Sequence, residues 1–478
     1  MNTTSSEDSI LGHPKGLFLL FGTEMWERFS YYGMRAILVL YLTEMTTTGG
    51  LGWTQADALK LYGIFTGLVY VTPLLGGWLA DNVLGQRKSI IIGGILMALG
   101  QFTLGTPHQY IPGLEVTFFY LGLGLLILGN GLFKPNISTM VGDLYKEGDH
   151  RRDGAFTIFY MGINLGAAFA PLVIGYISET YQWQYGFIVA GVGMIISVIM
   201  QFTLAPKYLG DIGVVPAAKV AMTQQANQGS KVPMTQEERD RMKVILVLGI
   251  FTIMFWVGFE QAGGLLNIFA RDSTDRFLMG FEIPATWFQS VNAIFIVVFA
   301  PVIASIWIKM GDKEPSSPIK FMLALIFLAL GFVCMMGAVA EINSSDNGKA
   351  SMMWLVGLYF FHTIGELCLS PIGLSMVTKL APLRIVSFMM GVWFLFIAAA
   401  NYTAGYVGSL VGEDTSLMTI FVSVGAASLA SAFILYLLSD KLIDWMHGAE
   451  GPHITSEEEK MDEEMGVTGE HEGISNKA

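Results

Sequence analysis

Apolar runs long enough to cross a bilayer recur along this chain, each closed by a short polar stretch. About 20 consecutive apolar residues suffice for a spanning helix. The runs fall near residues 16–42, 58–84, 88–106, 113–144, 154–179, 184–205, 243–270, 286–310, 319–341, 351–380, 385–411 and 416–439. Twelve spanning helices are therefore expected, six on either side of a polar stretch from Pro206 to Met242. That stretch holds GDIGVVPAAK, a Gln/Asn/Gly/Ser segment and the charged run TQEERDRMK. The pattern divides the chain into an N-terminal six-helix bundle over 1–205, a linker over 206–242, a C-terminal six-helix bundle over 243–447 and an acidic tail over 448–478.

The first run breaks the apolar pattern in an informative way. Gly16 to Leu42 reads GLFLLFGTEMWERFSYYGMRAILVLYL and carries Glu24, Glu27, Arg28 and Arg35. Each charge near a helix centre costs about 2.5–3.5 kcal/mol on insertion scales, so four of them must face protein or water rather than lipid. At 100° per residue, Glu24, Glu27, Arg28, Tyr31, Tyr32 and Arg35 fall within roughly 140° of one another. The opposite face holds Phe18, Leu20, Phe29, Ala36, Ile37 and Leu40. One face is expected to line a polar interior, the other to meet lipid or packed helices.

Composition agrees with a polytopic membrane protein. The 478 residues are 53% hydrophobic and only 14% charged, against roughly 25% charged in soluble chains. The net charge of −12 is uneven, because from Glu450 onward nine acidic residues face two lysines, so −7 of it lies in the tail. Such a run is read as a solvated, disordered end, and the overall acidity says little about a substrate. Cys334 and Cys368 lie in apolar runs and imply no disulfide framework. Met1 to His13 lacks a basic region followed by an apolar core, so no cleavable signal is expected. Nothing calls for a nucleic-acid partner.

Lys and Arg in short loops set orientation. One set of connections holds Arg87, Lys88, Lys146, Arg151, Arg152, Lys309, Lys313, Lys320, Lys379 and Arg384, and the linker adds Lys207, Lys219, Lys231, Arg239, Arg241 and Lys243. The other set holds Lys60, Arg271, Arg276 and Lys349. The basic set is read as cytoplasmic, which puts both termini inside.

Gly77-Trp78-Leu79-Ala80-Asp81 followed by Gly85-Gln86-Arg87 resembles the GxxxD…GxR signature of the major facilitator superfamily. Its glycines allow close helix approach, and Asp81 with Arg87 can latch a helix end. The expected fold is thus an all-α integral membrane protein of the major facilitator type. Within span 1, Glu24-Met25-Trp26-Glu27-Arg28-Phe29 matches the ExxERF motif of the proton-dependent oligopeptide transporter (POT) family. Phe159 to Gly166 resembles its FYxxINxG motif, Phe255 to Gln261 its FWxxFEQ stretch, and Gly365-Glu366-Leu367 with Ser370-Pro371 its tenth-span pattern. The resemblance covers nearly the whole chain apart from linker and tails. Two departures stand out: the linker has no room for the two extra helices of many bacterial members, and Ala167 replaces a frequent serine.

The residues support a two-signed cavity between the halves. Lys134 lies deep in span 4 beside Pro135, a break in helix regularity. Tyr160 and Asn164, Trp256 and Glu260, and His362 and Glu366 share helix faces at four-residue spacing, and Gln289 and Asn292 add polar groups in span 8. Arg35 and Lys134 come from the first half, Glu260 and Glu366 from the second. Transporters bind at such repeat interfaces near the midplane. A zwitterion whose charges lie some ångströms apart fits, and extended residues span roughly 3.3–3.6 Å each, which favours di- and tripeptides. The resemblance implies that Arg35, Lys134 and Tyr32 bind the peptide carboxylate and that Glu366 and Asn292 take the amino terminus. It likewise implies that Asn164 and Tyr70 contact the peptide backbone and that Trp256 and Trp393 shape side-chain pockets, with plain lipid-facing packing the other reading of Trp393; Tyr31 and Tyr160 complete the candidate set. Glu24, Glu27, Arg28, Lys134 and Glu260 are the candidate proton-coupling residues. The proton is the only coupling ion expected, with no metal or organic cofactor. No GxSxG or HExxH appears, His362 to Glu366 is not a metal-hydrolase pattern, and no filter element repeats. The expected role is a bacterial inner-membrane symporter rather than an enzyme or channel.

Overall fold

The computed structural model describes residues 9–146, 149, 151–216, 234–382, 385–412 and 415–449. Residues 217–233 of the linker and nearly all of the acidic tail, with Lys219, Lys231 and Arg384, thus lie outside the described residues. Among the described residues twelve long helices form, one for each expected run. In the first half they are α1 (Lys15–Thr43), α2 (Gln55–Leu79), α3 (Gln86–Leu104), α4 (Glu115–Asp143), α5 (Arg151–Ala170) and α6 (Trp183–Tyr208). In the second they are α7 (Gln236–Phe259), α8 (Phe288–Met310), α9 (Ser317–Ser344), α10 (Met353–Leu380), α11 (Val386–Ser409) and α12 (Leu417–Met446).

Local chemistry marks several starts. Thr54 Oγ1 accepts from Asp57 N at the head of α2. Thr235 and Glu238 close a reciprocal capping box on α7, which satisfies two otherwise orphaned backbone donors. α2 and α5 continue into π-turns at Ala80–Leu84 and Pro171–Gly175. α7 passes through a 3-10 turn at Glu260–Gly263 into the short helix Leu265–Asp272.

One expectation is corrected and another takes a specific form. Pro135 does not interrupt its helix, since α4 runs unbroken from Glu115 to Asp143; neighbouring helices in a membrane bundle tolerate the missing donor. Arg87, expected with Asp81 to latch a helix end, holds the end of α6. It binds the chain beyond α6, with Nη1 donating to Gly210 O at 2.6 Å and its own N–H to Gly213 O at 2.9 Å.

Within the first half, α1 packs on α5 and α6, α3 on α4 and α6, and α2 on α4. Adding six to every label reproduces the packing of the second half. The halves meet through α2 with α11 and α5 with α8, a pair of contacts that the same shift interchanges. Close approach at the α2–α11 seam needs small residues: a Cβ at Gly63 would lie 2.8 Å from Tyr402 O and 2.9 Å from Gly405 Cα.

Among the described residues ten helices are long and apolar enough to cross a membrane, by length and composition; Lys15–Thr43 and Gln86–Leu104 are not among them. α1 is accordingly buried along most of its length, its charged face and its apolar face alike. Its apolar face meets packed helices rather than lipid.

Candidate functional site

A cavity of about 300 Å³ lies between the two halves, at the lower end of the size of small-molecule sites. From the first half it is lined by Glu24, Arg28, Tyr32, Arg35, Tyr70, Lys134, Tyr160 and Asn164. From the second come Trp256, Glu260, Gln289, Asn292, His362 and Glu366. Twelve residues singled out as binding or coupling candidates thus converge from α1, α2, α4, α5, α7, α8 and α10.

Three candidates stand elsewhere. Glu27 is fully buried behind Arg28, against α4. Tyr31 is buried on α1 with its ring 5.4 Å from that of Tyr32. Trp393, expected to shape a side-chain pocket, is 2% exposed and packs against Phe321, Phe396 and Gly373 inside the second half. The rotation of α11 turns Trp393 inward to its own bundle and offers Phe394 and Ile397 to the cavity instead.

The charged groups form two clusters. In the first, Arg28 Nε lies 2.8 Å from Glu24 Oε1 and 2.6 Å from Glu27 Oε2. Asn130 Nδ2 donates to Glu27 Oε1 at 3.3 Å, and Lys134 Nζ sits 3.9 Å from the centroid of the Tyr70 ring. Two carboxylates and two cations balance, as burial of charge requires. The second cluster crosses the halves. Arg35 Nη2 meets Glu260 Oε2 at 2.5 Å, and Arg35 Nε donates to Tyr62 Oη at 2.6 Å. The charges expected on opposite walls, Arg35 and Glu260, therefore neutralise one another in this conformation. Glu366 has a neutral partner, accepting from Asn292 Nδ2 at 3.0 Å; the same amide nitrogen lies 3.0 Å from Thr363 Oγ1.

Polar ties between the halves gather at the end of the molecule away from the linker. Glu179, beyond the π-turn of α5, accepts from Ala285 N (2.8 Å), Thr286 N (3.0 Å) and Thr286 Oγ1 (2.7 Å) at the head of α8. Trp287 Nε1 donates to Leu172 O, Asn267 Nδ2 to Ala36 O and Arg271 Nη1 to Thr43 Oγ1. This end is closed over the cavity.

Sequence reasoning missed Tyr62, Asn130 and Tyr359. Tyr359 lines the cavity one helical turn before Thr363. Asn130 had a usable signal, because it stands four residues before Lys134 and so shares its helix face. Tyr62 had none, because its importance rests on a contact with another helix.

The sequence profile of the POT family matches residues 87–208 and 207–423. An uncharacterized transporter of Bacillus subtilis is 37% identical, over 92% of this chain and 97% of its own length. A peptide transporter of Yersinia enterocolitica is 36% identical, over 93% and 97%, and dipeptide and tripeptide permease A of Escherichia coli is 32% identical, over 90% and 93%. Among solved structures, a peptide transporter in complex with sulfate superimposes with a TM-score of 0.83 at 36% identity, covering 92% of this chain and 97% of that one. A mutant of a peptide transporter in complex with alafosfalin gives the same score and identity, with the same coverage.

Proposed function

This chain belongs to the POT family, and on that premise we propose that it imports di- and tripeptides across the bacterial inner membrane, coupled to protons, by alternating access. The observation that carries the reading is the cavity itself. Buried groups of both signs face a space of about 300 Å³ from both halves, and the Glu24–Glu27–Arg28 cluster adjoins it. The relatives described as peptide transporters and as a dipeptide and tripeptide permease support the substrate class.

Either end of a short zwitterion has a partner here. Lys134 and Arg35 are offered to a carboxylate, the latter once released from Glu260. Glu366 with Asn292 is offered to an ammonium group. Glu24 and Glu27 hold the coupling proton: protonating either weakens its hold on Arg28 and redistributes the charge balance of the first cluster. Inward proton movement contributes about 2.3 kcal/mol per elementary charge per 100 mV of membrane potential. The excess of Lys and Arg at the linker end makes that end cytoplasmic, so the closed far end faces outward and the chain stands in an inward-facing state.

The test is uptake by purified protein in liposomes. Dialanine should accumulate under an imposed inward pH gradient, and a protonophore should abolish accumulation. Trialanine should compete, whereas free alanine, tetraalanine and nitrate should compete poorly. Absence of gradient-driven accumulation refutes the coupling, and strong competition by nitrate alone refutes the substrate class.

A further inference from the structure

We propose that Asn130 is a positioning residue for Glu27, able to hydrogen-bond both protonation states of that carboxyl and so to set the pH at which coupled uptake turns on. The inference rests on proton coupling through Glu27, as proposed above.

Glu27 is completely buried, and Asn130 is 1% exposed. The amide Nδ2 of Asn130 donates to Glu27 Oε1 at 3.3 Å, from α4 to α1. Its other atom, Oδ1, is buried with no hydrogen-bond partner among the described residues. A buried amide oxygen left without a donor is costly, and it lies on the side chain that already reaches the carboxyl.

The chemistry of the pair explains the vacancy. An ionised carboxylate only accepts, whereas a carboxylic acid also donates one O–H. An amide carries both complements, and a half-turn about its terminal torsion exchanges them. With Nδ2 toward Glu27 it serves the carboxylate. With Oδ1 toward Glu27 it accepts the proton of the acid. The other groups facing Glu27 do not offer this pair of roles. Arg28 and Lys134 only donate; Glu24, whose Oε1 lies against Arg28, keeps a buried Oε2 without a partner among the described residues, which can accept from the acid but, while ionised, cannot donate to the carboxylate. Tyr32 and Tyr70 face Arg28. α6 presents neutral Gln201 and Ser197 to Thr23, and α5 presents Gly162 and Gly166 to α1.

Charge-assisted hydrogen bonds are roughly twice as strong as neutral ones, so the amide favours the carboxylate on balance. Asn130→Leu, of similar size, removes both bonds and should make Glu27 hold its proton more tightly. The midpoint of the pH profile of driven dialanine uptake should then move up by about one pH unit. Asn130→Asp keeps the shape and should also move the midpoint upward, because two adjacent carboxyls share a proton.

The experiment measures that profile in liposomes for wild type and both variants, each checked for monodisperse elution in detergent. The infrared carboxyl band that Glu27→Gln removes is followed alongside. An upward midpoint in the variants with a shifted carboxyl band supports the assignment. A midpoint and band that stay in place, whatever happens to the maximal rate, show that Asn130 only packs, and overturn it. If Asn130→Leu does not insert, Asn130→Ala, which removes the amide without adding a charge, is read by the same criterion in its place. Failure of coupling itself shows separately, as wild-type uptake indifferent to the gradient, and removes this inference with it.

Discussion

Arg35 of α1 and Glu260, just past the end of α7, meet at 2.5 Å across the seam between the two bundles, and Tyr62 of α2 accepts from the same guanidinium at 2.6 Å. For the far end to open, α1 and the end of α7 must separate, so this pair has to break. Removing one partner of a buried pair costs roughly 3–5 kcal/mol in the state that contains it. Glu260→Gln should therefore raise the population open at the far end. A reporter cysteine at Gln289, whose side chain donates to Ala36 O in the closed seam, should be labelled several-fold faster in that background. Equal labelling would deny the pair a gating role.

Glu27→Gln should abolish gradient-driven accumulation and spare peptide exchange, since exchange requires no net proton movement. Glutamine keeps the shape and can still accept from Asn130, but cannot carry the proton or pair its charge with Arg28. Counterflow of labelled dialanine, compared with uptake under an imposed gradient, separates the two. Accumulation against a gradient by this variant would remove Glu27 from the coupling path.

Glu366 and Arg35 should read opposite ends of the peptide. N-acetylation of a dipeptide removes the ammonium partner of Glu366, and losing one partner of a buried charge pair costs roughly 2–5 kcal/mol. In Glu366→Gln that penalty should shrink. In Arg35→Ala the penalty for C-terminal amidation should shrink instead, while that for acetylation persists. The measurement is a double cycle of affinities, protein variant against ligand end group. Penalties unchanged in both variants would leave Arg35 and Glu366 as gate groups only.

The two tryptophans should separate by phenotype. Trp256 lines the cavity, its ring 5.0 Å from that of Phe259, so Trp256→Ala should change the ranking of dipeptides by side-chain size. Trp393 is buried against Phe321 and Gly373, and truncating such a residue costs about 3–5 kcal/mol of stability. Trp393→Ala should lower the thermal midpoint in detergent and leave the ranking as it is. A changed ranking without loss of stability would return Trp393 to the binding site.

Much of this was legible in the sequence alone. The twelve runs could be read because bilayer thickness fixes how long an apolar helix must be. The charged face of span 1 and the pairing of Arg28 with Glu24 could be read because the helical period places residues four apart on one face. Charges that lipid cannot accommodate must point inward, which assigns Lys134, Glu260 and Glu366 to a common interior from the sequence alone. Tertiary packing decided the rest. Glu260 lies 225 residues beyond Arg35, and Asn130 lies 103 beyond Glu27; no periodicity links them. Trp393 and Phe394 are neighbours in the chain, yet one is sealed in its bundle and the other faces the cavity. A helix's own period orders its faces relative to one another, but which face turns inward is chosen by how the neighbouring helices pack, and that choice rests on contacts such as Gly63 with Gly405 that form only when separate spans meet.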